Sequence, residues 1–176
     1  MKKSKVNIGL INPKSPENVG SVMRAAGNFQ VDSVFFTGKR YPRALQFKPC
    51  TVDISRQVGQ NIPLIEVTCL LDNTSKNMNL VCVEFAENAI PLPEFQHPRH
   101  AFYIFGPEDG TISQEIIDRA DAVVYVPTIG CMNLAATVNV VLYDRSAKSL
   151  QAFSGNELIR QSRDVNNNLK VSGDGA

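Results

Sequence analysis

At 176 residues, 43% of them hydrophobic and 20% charged, the chain has the length and composition of a single soluble globular domain. A domain of this size buries roughly 70% of its unfolded surface and needs no disulfide or metal staple. Its formal charge of +1 excludes a uniformly basic or acidic chain, and no run approaches the ~20 apolar residues of a membrane span.

The charge is unevenly placed. Residues 1–56 carry ten lysines and arginines against three acids, a net of +7, and residues 57–176 carry eight against fourteen, a net of −6. A polyanionic partner is therefore expected at the N-terminal third. The opening, MKKSKVNIGLINP, has its apolar run broken at Asn7 and Asn12, so it reads as a first strand and not a signal peptide. The four cysteines, Cys50, Cys69, Cys82 and Cys131, lack CxxC spacing and read as reduced thiols of a cytoplasmic protein.

Lys5 to Ile11 is a short apolar run, expected as a buried strand. A helix follows. Ser15 and Pro16 supply a cap and a proline at the first helical position, and Asn18 is an alternative cap. Val22, Ala25, Ala26 and Phe29 form its apolar stripe, and Arg24 leaves it at another angle. Val31 to Thr37 is a second strand. Strand, helix and strand at this spacing make a βαβ unit and so a parallel sheet.

Gly38 to Cys50 reads as a basic loop in which Lys39, Arg40, Arg43 and Lys48 alternate with Tyr41 and Phe47. Cations pair with phosphates and rings offer bases a stacking surface; a solvated loop with two inward aromatics is the alternative. Residues 51–60 are expected as a short helix, Leu64 to Val67 as a weak strand and Thr68 to Thr74 as a short helix. Leu80 to Phe85 is a buried strand, and Pro91, Pro93 and Pro98 mark a connection. Ala101 to Phe105, Ile112 to Ala120 and Ala122 to Val126 read as strand, helix and last strand, with Ser113 capping that helix.

The stretch Val126 to Arg145 turns through Pro127 to Gly130 and enters a helix capped at Asn133. Leu134, Val138, Val141 and Leu142 lie on one stripe of it, while Ala135, Ala136, Val140 and Tyr143 cover much of the remainder. A helix apolar nearly all round is expected to be buried nearly all round. Residues 1–153 form the expected domain, and 154–176, rich in Asn, Ser and Gly, a flexible tail.

Three Gly- or Asn-rich turns each follow a strand: NPKSPENVGSVMR, FGPEDGTIS and VPTIGCMNL. In a parallel α/β sheet such turns gather at the carboxyl edge, where ligands bind. None is a P-loop or a GxGxxG. Their order, NPxxxxNxGSxxRAA, then FGPExxG, then VPxxxxMNLxxxVxVVxYD, resembles the three motifs of the SpoU-type (TrmH-like) RNA ribose methyltransferases of the SPOUT superfamily. The match covers about residues 5 to 150. With no added RNA-binding domain, the chain looks like the minimal members that methylate the wobble ribose of tRNA.

The resemblance implies an α/β fold with a mostly parallel sheet flanked by helices and a C-terminal trefoil knot. It also implies a homodimer, S-adenosylmethionine (SAM) as cofactor, no metal, and RNA as substrate, tRNA ahead of rRNA. Carried over by position, Val83, Gly106, Glu108, Val126, Cys131 and Asn133 hold the cofactor. Cys131 stands where the family usually has Ser, and a thiol donates poorly, so only its backbone is expected to contribute. Arg24 takes the central catalytic role, with Asn18 and Glu108 beside it. Guanidinium stays protonated in proteins, so Arg24 is expected as a fork on a phosphate rather than as a base. Lys39, Arg40, Arg43 and Tyr143 are the expected RNA contacts. His97 and His100 lie outside all three motifs and read as surface residues. The competing readings are a non-catalytic RNA-binding dimer and a base methyltransferase; the latter needs a cysteine nucleophile, for which only Cys131 falls in a motif.

Overall fold

The computed structural model describes residues 4–47, 61–149 and 155–171. The short helix expected over 51–60 lies outside these residues. Seven strands form one sheet: β1 (Val6–Leu10), β2 (Ser33–Phe36), β3 (Leu64–Glu66), β4 (Asn79–Val83), β5 (Ile90–Pro91), β6 (Ala101–Phe105) and β7 (Ala122–Tyr125). Their order is β3-β2-β1-β6-β4-β7-β5, and all six pairings are parallel. The central strand β6 is buried along its whole length, as its unbroken apolar sequence demands. Its residues alternate between two cores. Ala101, Tyr103 and Phe105 join Ile8, Val22 and Val138 on one face; Phe102 and Ile104 join Leu80, Cys82 and Ile112 on the other. Two acids start strands in the same way: Asp32 accepts from the Val6 N–H at 2.7 Å, and Asp121 from the Leu80 N–H at 2.7 Å.

Helix α1 (Pro16–Asn28) starts with Ser15 as its cap, which settles the choice between Ser15 and Asn18. Two expected loops are structured. Arg40–Phe47 is a helix, α2, and not a loop, because Tyr41 is buried edge-on against Phe36, with ring centroids 5.2 Å apart, and Leu45 packs on the same core. Pro42 is tolerated there because the first helical turn has no intrahelical N–H partners to lose. In the proline-rich connection, Ile90 and Pro91 add the edge strand β5 against β7, the sheet position in which proline is permitted.

Helix α3 (Gln114–Asp118) is short, and the Ser113 side chain makes no capping bond to it. The long helix α4 (Leu134–Lys148) packs on α1. Its burial is one-sided: Leu134, Ala135, Val138, Val141 and Leu142 are inside, while Ala136 and Tyr143 are exposed. The expectation of all-round burial is not met within this chain. In the tail, Asn156–Ser162 form a short helix, α5, with no buried residue.

His97 is not a surface residue. Its side chain is only 4% exposed and lies between Tyr103 and Asp144. The hydrogen bonds fix one tautomer. Arg145 donates to the Tyr103 hydroxyl at 3.1 Å, Tyr103 donates to Nδ1 of His97 at 2.6 Å, and Nε2–H donates to Asp144 at 2.8 Å. Lys148 completes the pair with Asp144 at 2.7 Å. Burial holds the imidazole below the usual histidine range, against the pull of Asp144. The cluster ties the C-terminal half of α4 to the middle of the sheet.

Candidate active site

The strands β1, β4, β6 and β7 are neighbours or near neighbours, so the turns that follow them meet at one edge of the sheet. There the turns after β4, β6 and β7, with the start of α4, line a cleft of about 140 Å³. Its wall includes five of the residues expected to hold a cofactor: Val83, Gly106, Glu108, Val126 and Cys131. Gly106 lies in a closely packed part of that wall. A Cβ there would lie 3.2 Å from a Glu84 carboxylate oxygen and 3.3 Å from Cγ1 of Ile112. The loop beyond β7 is shaped by Thr128, which donates to the Gly130 carbonyl at 2.8 Å, and by Gly130 itself, whose φ of 150° favours glycine.

The three motif turns are bonded to one another at the mouth of this cleft. Glu108 accepts from the backbone N–H groups of Lys14 at 2.9 Å and Ser15 at 3.1 Å, and from the Asn18 side chain at 3.2 Å. The Asn18 oxygen in turn accepts from the Asn133 amide at 2.9 Å. The Asn133 oxygen caps α4 through the N–H groups of Ala135 and Ala136. Asn133 is thus both a helix cap and the end of a relay, though it is not itself in the cleft wall. Partial burial pushes the Glu108 carboxyl up, but the hydrogen bonds from its own N–H, Ser15, Asn18 and Lys14 outweigh it and hold the group below the usual carboxylate range. Such an acid is a fixed anion that sets the loop before α1. It is poorly suited to take up a proton.

The lining residues that the sequence reading did not assign to the site include Glu84, Phe85 and Tyr125. Glu84 accepts from the N–H groups of Ile112 at 2.9 Å and Phe85 at 3.0 Å, and Phe85 leans on Tyr125 with centroids 5.8 Å apart. The only signal was an acid and an aromatic at the end of the LVCV run.

Arg24 lies on α1, six residues beyond Asn18, exposed and outside the cleft wall. Lys39 and Arg43 are exposed at the start of α2, and Tyr143 is 67% exposed on α4. Arg40 is half-buried and pairs with Asp109 at 2.7 Å. Of the cysteines, Cys82 is buried, its thiol pushed up to about 12 by burial and then by Glu84, which makes it inert. Cys131 is exposed in the cleft loop. Among the described residues there is no group of three or more His, Cys, Asp or Glu side chains placed to hold a metal ion, and no helix long and apolar enough to cross a membrane.

The model of the SpoU rRNA methylase family matches residues 5–143, a span that holds all three turns and most of α4. The chain belongs to the SpoU rRNA methylase family. A relative in Staphylococcus epidermidis, described as "Putative TrmH family tRNA/rRNA methyltransferase", is 23% identical over 137 residues, which are 74% of this chain and 54% of the relative. The chain thus spans about half the length of that curated relative. Among solved structures, the AdoMet-bound rRNA methyltransferase of Sinorhizobium meliloti superposes with a TM-score of 0.69 at 15% identity, over 83% of this chain and 57% of that one. A structure bearing on "the 2-OH methylation of C/U34 on tRNA" superposes with a TM-score of 0.69 at 19% identity, over 82% of this chain and 91% of the other. At these identities the SpoU likeness is one of fold, and the sheet and helices described above are that shared fold.

Proposed function

We propose that this chain is a SAM-dependent RNA methyltransferase acting on a ribose 2′-hydroxyl, in tRNA at the wobble position ahead of rRNA. The observation that carries the reading is the relay Glu108–Asn18–Asn133, which locks three family motif turns together around one cleft. The residues suit the cofactor. Gly106 leaves open a wall that a side chain would crowd, and Val83 and Val126 offer apolar surface at the same edge. When bound, SAM supplies an electrophilic methyl group, which the 2′-oxygen takes while the C–S bonding pair stays on sulfur.

The protein's part is placement. Oxygen, carbon and sulfur must lie in line, and the hydroxyl proton must leave. Arg24, exposed on the helix that the relay anchors, serves as a planar fork on the phosphate beside the target ribose, orienting the hydroxyl and lowering its pKa. Glu108 holds the loop that carries Asn18 and is a positioning group. Lys39, Arg43 and Tyr143 add exposed RNA contacts. The reading includes a homodimer, because the exposed second face of α4, with Ala136 and Tyr143, needs a cover. The family's trefoil knot and a cytoplasmic location belong to the same proposal.

The test is single-turnover methylation at saturating RNA, with nucleosides identified by mass spectrometry. Arg24→Ala should keep SAM affinity and lose at least about a hundredfold in rate, the scale of one transition-state contact. A near-normal rate removes Arg24 from the mechanism. No 2′-O-methyl product from tRNA or rRNA with the unaltered protein overturns the reading.

A further inference from the structure

Beside Glu108, the next residue of the same turn faces the other way. Pro107, Glu108 and Gly110 line the cleft, whereas Asp109 lies outside its wall, between two cations from different segments. Its carboxylate is 2.7 Å from Nη1 of Arg40, at the start of α2, and 3.8 Å from Nζ of Lys14, in the loop between β1 and α1. Asp109 is half-exposed, and so is most of the Lys14 side chain. The Arg40 pairing is incomplete. A carboxylate usually meets guanidinium as a two-pronged fork, but here one Nη1 contact carries the pair. The second amino group, Nη2, is buried with no hydrogen-bond partner. An unmatched donor on a charged group is costly, so a pair built only for stability would not leave one.

We propose that Lys14 and Arg40 form a seat for a backbone phosphate of the RNA substrate, and that Asp109 occupies this seat in the free protein until the phosphate displaces it. This rests on the RNA methyltransferase reading above. The chemistry favours the exchange. A phosphodiester presents two outward oxygens, one for Nη1 of Arg40 and one for Nζ of Lys14, the two groups that Asp109 now faces. The seat adjoins the loop held by Glu108, because Lys14 donates its backbone N–H to Glu108 and reaches Asp109 with its side chain. Holding Asp109 in place also selects against small or weakly charged anions, which cannot match its local pairing.

The experiment measures binding of a tRNA anticodon stem-loop by the full chain at several salt concentrations. Asp109→Asn removes the internal occupant's charge without its bulk and should tighten binding roughly two- to fivefold at low salt, the scale of one exposed ion pair. Glu115→Gln removes one exposed charge from α3 and controls for general electrostatics. In a Lys14→Ala, Arg40→Ala background the Asp109→Asn gain should vanish, which a double-mutant comparison reads directly. Weaker binding by Asp109→Asn, or a gain no larger than that of Glu115→Gln, or a gain that survives loss of both cations, overturns the seat. RNA that binds with the expected Asp109 dependence but is never methylated leaves the seat standing and overturns the enzyme reading. Unaltered protein that binds no RNA overturns both.

Discussion

Asn18→Asp tests the relay through its charge. The change keeps size and keeps the oxygen that accepts from Asn133 at 2.9 Å, but it puts a second carboxylate where an amide now donates to Glu108 at 3.2 Å. Two unit charges at that distance repel by about 1.3 kcal/mol in a water-like medium and about 5 kcal/mol at an effective dielectric of 20. Glu108 is largely exposed, so screening sets the value near the lower end, about 1–2 kcal/mol. Repulsion of that size raises the upper carboxyl of the pair. The raised group binds its proton more readily in the folded state than in the unfolded one. The penalty is therefore absent at low pH and grows as pH rises through the raised value. Asn18→Ala removes both hydrogen bonds without adding charge and should cost about 1 kcal/mol from about pH 5 to 7.5, where Glu108 stays ionised. At pH 7.5 Asn18→Asp should unfold a few degrees below Asn18→Ala. By pH 5 the order should close or reverse, since the introduced carboxyl, once protonated, can donate and accept as asparagine does. Thermal midpoints at pH 5, 6 and 7.5, with SAM affinity by calorimetry, are the assay. An Asn18→Asp protein at least as stable as Asn18→Ala at pH 7.5, or a gap that ignores pH, refutes the relay as an energetic unit.

The His97 cluster makes the fold sensitive to acid. Because His97 titrates below its usual 6.5, its contribution is present above that value and is lost as pH falls through the folded one. His97→Phe leaves Tyr103 and Asp144 short of a partner and should cost about 1–3 kcal/mol at pH 7.5 while flattening the fall in thermal midpoint between pH 7 and 5; an unchanged slope contradicts the assignment. Light scattering at micromolar concentration should report a dimer, and Tyr143→Glu on the open face of α4 should shift it to monomer; a monomeric unaltered protein excludes α4 as an interface.

Strands were readable where one residue type filled a run: AFYIF must be buried on both faces, and it is the centre of the sheet. Ser15 with Pro16, and Asn133, announced their helices because capping chemistry is local. Features that depend on distant partners were not readable. Helix α2 is basic and holds a proline, and the packing of Tyr41 on Phe36 and of Leu45 on the same core explains it. His97 stands among prolines and polar residues, and its burial depends on Asp144, 47 positions later. The strand order, with β6 between β1 and β4, has no trace in spacing. The motif residues were legible as a set through the family likeness, but what each one touches was not. Nothing in FGPEDG said that its two acids would turn to opposite sides.

The relay has a bearing on when the site comes into being. Its bonds join residues 94, 93, 90 and 115 positions apart. None can form while the chain is emerging until β6 and its turn exist, and the Asn133 bond must wait for the start of α4. Contacts of such long range carry the largest loop-closure cost and form late. A partly synthesised or partly folded chain therefore has α1 and β1 in hand but no joined loops around the cleft. Competence arrives with the last quarter of the domain, so an incomplete copy has no assembled cleft with which to hold a cofactor out of productive use.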